Sequence, residues 1–192
     1  YSYSSGNATV TPSGTTSYSV IGISAPGCIS SNTAVSTVVV NSNPVVTVNS
    51  GSICSGNSFT LLPSGAVTYS YSGGSAIVSP SNTTSYTVTG TDINNCTNTA
   101  VSNVTVNVTP TVTINNASIC SGQTYTLSPS GAANYSYSGG TSVVSPTSTT
   151  SYSVTGLSNS GCVSSNTAVS TITVNALPVV TVNSGSICNG QS

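Results

Sequence analysis

The eleven residues PVVTVNSGSIC fill positions 44–54 and occur again, unchanged, at 178–188, with PTVTINNASIC between them at 110–120. The repetition runs well beyond this segment. YSYS stands at 1–4, 69–72 and 135–138, and TSYSV, TSYTV and TSYSV stand at 16–20, 84–88 and 150–154. Cys54, Cys120 and Cys188 are spaced by 66 and 68 residues, and Cys28, Cys96 and Cys162 by 68 and 66. The two-residue difference falls just after the second cysteine, where CVSSNTAVS in one copy is CTNTAVS in another. A hairpin loop tolerates that kind of change. A period of this length makes the chain a series of like units, so any fold must close within about 67 residues.

Parsed this way, 44–109 and 110–177 are complete units. Residues 1–43 are the C-terminal part of a preceding unit, and 178–192 are the start of a following one. A stretch that starts and stops inside a unit is expected to belong to a longer array. The other expectation is a subunit whose split ends complete each other in a polymer.

Within 44–109 the pattern is strand and turn throughout. VVTVN (45–49) follows Pro44, and a proline suits a strand start. SFTLL (58–62) puts Phe59 and Leu61 on one face; VTYSYS (67–72) does the same for Val67, Tyr69 and Tyr71. AIVS (76–79) is a short strand, TSYTVTG (84–90) aligns Tyr86 with Val88, and AVSNVTVNV (100–108) closes the unit. Strict alternation broken by PSG, GG and SPSN predicts half-buried strands, and no segment carries a helical period. About seven strands in so short a unit predict an all-β fold, a tandem array of small antiparallel sandwiches of immunoglobulin type.

Such a unit is small enough to need a staple. Six cysteines at fixed spacing predict disulfides and an oxidising compartment. Pairing inside a unit gives Cys54–Cys96 and Cys120–Cys162, leaving Cys28 and Cys188 to partners outside this stretch. The rival pairing, Cys28–Cys54, Cys96–Cys120 and Cys162–Cys188, would stitch each unit to the next. A metal site is the weakest reading of these thiols, because no CxxC, histidine or acidic cluster accompanies them.

The pattern SICSG…PSG…YSYS…TTSYTVTG…NC resembles the immunoglobulin-like, PKD-like tandem repeats of large secreted adhesins and gliding-associated surface proteins of Bacteroidota. The residues that carry the likeness are Cys54, Gly56, Thr84, Tyr86, Val88 and Cys96, with Cys120, Gly122, Thr150, Tyr152, Val154 and Cys162 as counterparts. The resemblance implies an extracellular β-sandwich array. This chain departs from the family in having Tyr where a Trp is common and in lacking nearly all charge.

That lack of charge excludes most chemistry. The chain has no Lys, Arg or His, and Asp92 is its only acid. Without cations there is no footprint for phosphate, so neither nucleic acid nor an anionic membrane surface is an expected partner. No apolar run is long enough to cross a bilayer as a helix, and membrane insertion is not expected. A glycosidase needs two carboxyl groups, and a serine or cysteine nucleophile needs a base. The chain is therefore read as no enzyme, with no catalytic residue, metal or cofactor. Asp92, in TDINN, is read as a turn residue whose side chain accepts hydrogen bonds locally.

Two binding features remain. Tyr69 with Tyr71, and Tyr135 with Tyr137, project on one side of a strand and could stack on sugar; the competing reading is that they fill the core. Sequons for N-linked glycans stand at Asn7, Asn82, Asn103, Asn107, Asn116 and Asn134, with Asn95 badly placed beside a cysteine. Of these, Asn82 in its turn is sterically the best. Ser and Thr supply about two residues in five, so O-linked sugar is equally open. Together these readings predict an extracellular structural protein, secreted or cell-surface, that self-associates into a filament or stalk and carries covalent glycans. The alternative is the spacer of an adhesin whose binding module lies elsewhere. A lower reading is a carbohydrate-binding array using the Tyr pairs.

Overall fold

The computed structural model describes residues 1–192, and its regular structure is all strand. It divides into two compact units, Tyr1–Thr105 and Val106–Ser192.

The first unit opens with a three-stranded antiparallel sheet of β1 (Ser2–Tyr3), β2 (Thr16–Ile21) and β3 (Ala34–Val38). It continues with β4 (Gly51–Cys54), β5 (Phe59–Thr60), β6 (Thr68–Tyr71), β7 (Ile77–Val78), β8 (Thr84–Thr91) and β9 (Thr97–Asn107). These form a four-stranded sheet in the order β4-β9-β8-β6 and a two-stranded sheet of β5 and β7. Leu61, Val78, Val88 and Val104 are buried between them, with Val48, Ile53, Phe59, Tyr69, Tyr71 and Tyr86 packed around. The alternation of the sequence explains the layering: in β8 the inward residues are Tyr86, Val88 and Gly90, while Ser85 faces water. Val67, expected inward with Tyr69, is exposed instead, because β6 starts only at Thr68.

The second unit repeats the plan with β10 (Ala117–Cys120), β11 (Tyr125–Thr126), β12 (Asn134–Tyr137), β13 (Val143–Val144), β14 (Thr150–Leu157) and β15 (Ala168–Asn175). The sheets are β10-β15-β14-β12 and β11-β13, and Ile119, Leu127, Val144 and Ile172 form the core. A small sheet facing a four-stranded sheet across one apolar layer is an immunoglobulin-like sandwich.

Two details differ from the expectation. First, β10 runs parallel to β15, from Ala117 opposite Ile172 to Cys120 opposite Asn175, so the sandwich is not wholly antiparallel. The reason is topological: the first and last strands of a unit both travel from its entry end to its exit end. Second, VVTVN (45–49) is not itself a strand. It holds the small sheet by one bridge, Thr47 to Ser64, and the ladder begins only at Gly51. Asn49 makes the switch between sheets, its Nδ2 donating to Thr60 O at 3.1 Å and its Oδ1 accepting from Leu62 N at 2.7 Å. The backbone at Gly51 then passes under the Phe59 ring, where a Cβ would stand 2.7 Å from Cε2.

Candidate functional site

The cysteines sit at opposite ends of a unit, each on a turn that the local sequence dictates. Cys120 ends β10, and its carbonyl accepts from Gln123 N at 3.1 Å across a turn through Gly122 at φ +86. Cys54 and Asn57 make the same turn at 3.0 Å, as do Cys188 and Gln191 at 3.1 Å. A positive φ at the third position of such a turn calls for glycine. The second cysteine follows a left-handed residue too: Gly27 before Cys28, Asn95 before Cys96 (φ +62) and Gly161 before Cys162. Asn is the non-glycine residue that best tolerates this region.

Asp92 belongs to that second turn. Its Oδ1 accepts from Asn94 N at 2.9 Å and from Cys96 N at 2.8 Å. Ser24 and Ser158 do the same for Cys28 N (3.2 Å) and Cys162 N (3.1 Å). The lone acid is thus a positioning group for a thiol, one that a hydroxyl replaces in the other copies.

The expected pairs Cys54–Cys96 and Cys120–Cys162 are not formed. Cys54 and Cys162 are disulfide-bonded, whereas Cys28, Cys96, Cys120 and Cys188 are free thiols. The obstacle is distance. Cys120 stands opposite the last residue of β15, and Cys162 precedes the first. The eight residues of β15 alone span roughly 25 Å. A disulfide needs its Cα atoms within about 7 Å.

The tyrosine pairs are inward-facing. Tyr71 and Tyr137 pack on the two cores, as does Tyr69. The Tyr69 hydroxyl accepts from Ala66 N at 2.8 Å and donates to Ala66 O at 3.0 Å; Tyr135 does so with Ala132 at 3.0 and 2.9 Å. These two tie a hydroxyl back to the chain in the manner of the corner tyrosine of sandwich folds. Tyr69 and Tyr135 are thus half-buried rings whose hydroxyls are engaged by their own chain.

Of the sequons, Asn7, Asn82, Asn103, Asn116 and Asn134 are exposed, and Asn107 is half-buried. Asn82 lies in a bend, while Asn103 and Asn134 lie on strands. Asn103 Oδ1 accepts from Ser85 Oγ at 2.7 Å, and Asn116 Oδ1 accepts from Thr171 N at 2.8 Å.

Elsewhere the outer faces are linked by uncharged cross-strand pairs: Ser17 with Thr37 at 2.8 Å, Thr47 with Ser64 at 2.7 Å, Thr113 with Ser130 at 2.8 Å and Ser151 with Thr171 at 2.9 Å. These occupy places where ordinary sheets put ion pairs. Unlike ion pairs, they neither titrate nor feel salt. The thermal unfolding midpoint should therefore move by no more than about 3 °C between roughly pH 3 and 8, and by less between 0.05 and 1 M NaCl. Calorimetry checks this, and a large acid-side loss would show that something other than these hydroxyl pairs controls stability.

No protein-family model matches the chain, and no curated protein matches it. Among solved structures, a three-domain immunoglobulin segment of titin, I67–I69, has a TM-score of 0.41 at 11% identity, over 87% of this chain and 77% of that one. A Ca²⁺-stabilised adhesin with which an Antarctic bacterium binds ice has a TM-score of 0.40 at 17% identity; 83% of this chain is covered, and the match spans 56% of the adhesin chain. A second bacterial ice-binding adhesin, of 1.5 MDa, has a TM-score of 0.40 at 16% identity, over 83% and 74%. The immunoglobulin-like sandwich of this chain is read from its own strand order and packing.

Proposed function

We propose that the chain is a run of tandem immunoglobulin-like repeats, bounded as 44–109 and 110–177 with partial repeats at 1–43 and 178–192, whose role is structural and extracellular. One observation carries this reading: within a unit the polypeptide enters at one end of the last strand and leaves at the other. Ser165 N donates to Pro110 O at 2.9 Å and Val112 N to Asn166 Oδ1 at 2.9 Å, so the start of the repeat lies beside the residues just before β15. Cys120 then reaches the far end of the same strand. Strands laid from pole to pole transmit tension through backbone hydrogen bonds in shear, and each added unit adds length. The likeness to Bacteroidota-type surface repeats, the disulfide and the absence of any trypsin site agree with service outside a cell.

The element built is a filament or stalk, with sugars on exposed hydroxyls or on sequons such as Asn82 guarding edges that carry no charge. No helix of the structure is long and apolar enough to cross a membrane. With no cation and one engaged carboxylate, nothing here suits catalysis. Electron microscopy of the native material tests the reading. An ordered fibre with an axial repeat matching one unit is the expected result. Isolated flexible strings would replace the filament with an adhesin spacer, and compact particles would refute both.

A further inference from the structure

In each complete repeat the first segment is held by groups on the strands that follow it. The buried Val112 packs on Gly156, where a Cβ would stand 2.6 Å from Val112 Cγ2, and Val46 meets Gly90 at the same distance. The Asn166 carboxamide brackets the Val112 backbone, Oδ1 accepting from its N at 2.9 Å and Nδ2 donating to its O at 2.8 Å. Ser170 Oγ donates to Asn115 O at 2.7 Å, and Ser102 Oγ to Asn49 O at 2.6 Å. Beyond these ties β10 runs parallel along β15. Residues 1–43 carry the same side chains uncovered. β3, which aligns with β15, is the edge of its sheet. Ser36 aligns with the fully buried Ser102 and Ser170 but is exposed, and Asn32, which aligns with Asn166, is exposed as well. Gly22 aligns with Gly90 and Gly156, yet a Cβ there would meet only Ser30 within 4 Å. It opens on a cavity of about 450 Å³ that Tyr1, Cys28 and Ile29 also line.

The same chain carries a first segment that engages nothing of this kind. Residues 178–188 are identical to 44–54 but form no ladder, with Val180 85% and Ile187 70% exposed. We propose that the 178–188 segment of one copy seats in the 1–43 receptor of a second copy, so that the chain assembles head to tail. A second copy is the occupant because its free segment has the sequence that the complete repeats already hold in this place. Identity of sequence fixes the fit. Val180 fills the space over Gly22, the Asn32 carboxamide brackets its backbone, and Ser36 Oγ donates to Asn183 O. Gly185 through Cys188 then lie parallel to Val38 through Asn41. In strand addition of this kind main-chain hydrogen bonds supply affinity, and pockets for alternate side chains supply specificity. The contact is heterologous, one surface giving and a different one receiving, and such contacts continue into open filaments unless the rotation closes a ring.

Analytical ultracentrifugation of the purified 192-residue chain over a concentration series tests this. Species that lengthen with concentration are the expected result. Val180→Asp places a charge on a segment outside both cores and should abolish the growth. Gly22→Val fills the receptor at a position with room for a side chain and should abolish it too. Mixed together, the two variants should form dimers and nothing longer, because only the segment of the Gly22→Val chain and the receptor of the Val180→Asp chain remain intact. A synthetic 178–188 peptide should shorten the oligomers of the unmutated chain. A monomer at every concentration, growth that survives Val180→Asp, or a mixture that grows past dimers would overturn the inference. It rests on the filament reading, but it is judged on the purified chain and the filament in native material. Native fibres beside a monomeric purified chain would sink the inference alone; compact native particles beside an assembling chain would sink the filament alone.

Discussion

Gly131→Ala should cost the second unit about 3 kcal/mol or more, while Gly140→Ala should cost only about 1 kcal/mol. Both glycines have a positive φ, +99 and +75, so alanine strains the backbone at either position. They differ in surroundings. Nothing lies within 4 Å of where a Cβ would stand at Gly140, whereas at Gly131 it would collide with the carbonyl oxygen of Thr111. That carbonyl cannot retreat cheaply, because the adjoining Thr113 is bridged to Ser130 by two backbone hydrogen bonds of 3.0 and 2.9 Å. A unit this small has little stability to lose. Urea unfolding followed by tyrosine fluorescence reads the difference. Equal costs would mean that the segment after Pro110 shifts freely and does not pin the small sheet.

The strands whose partners are local were legible in the sequence; those whose partners are distant were not. Phe59 with Leu61 and Tyr86 with Val88 alternate into the core as their spacing dictates. The repeated PVVTVNSGSIC shows the limit of such reading. At 44–54, Val46 is 8% exposed and GSIC forms β4 beside β9. At 178–188 the identical residues form no ladder, and Val180, the counterpart of Val46, is 85% exposed. Local propensity is the same in both copies, so the difference lies in the sheet each has beside it. Val20 makes the same point: it is half-buried, while its counterparts in sequence, Val88 and Val154, are fully buried.

The cysteine pairing is not legible in the sequence for a related reason. Their spacing of 42 residues suits a loop closed within one unit. Spacing says nothing about which end of a strand a residue occupies, and the parallel β10 carries Cys120 to the end of β15 away from Cys162. The tyrosine roles were ambiguous likewise. Tyr69 and Tyr86 alternate equally well, and only the turn at Ala66 decides which hydroxyl is anchored.

Truncating the second core should show that its two layers are not equally rigid. Leu127 (2% exposed) and Ile172 (0%) face each other across it. Each loses similar volume on replacement by alanine, within a range of about 2–5 kcal/mol set by how far the surroundings close the cavity. Leu127 follows β11, a two-residue strand paired with β13 and tied beyond it only through the single Thr113–Ser130 bridge, so the small sheet can sink toward the gap. Ile172 lies in β15, which is bonded to β10 on one side and β14 on the other and so cannot move without breaking a ladder. Ile172→Ala is therefore expected near the upper end, close to 4 kcal/mol, and Leu127→Ala at least about 1 kcal/mol below it. Denaturant unfolding of both variants gives the order. A reversed order would place the rigid layer in the small sheet.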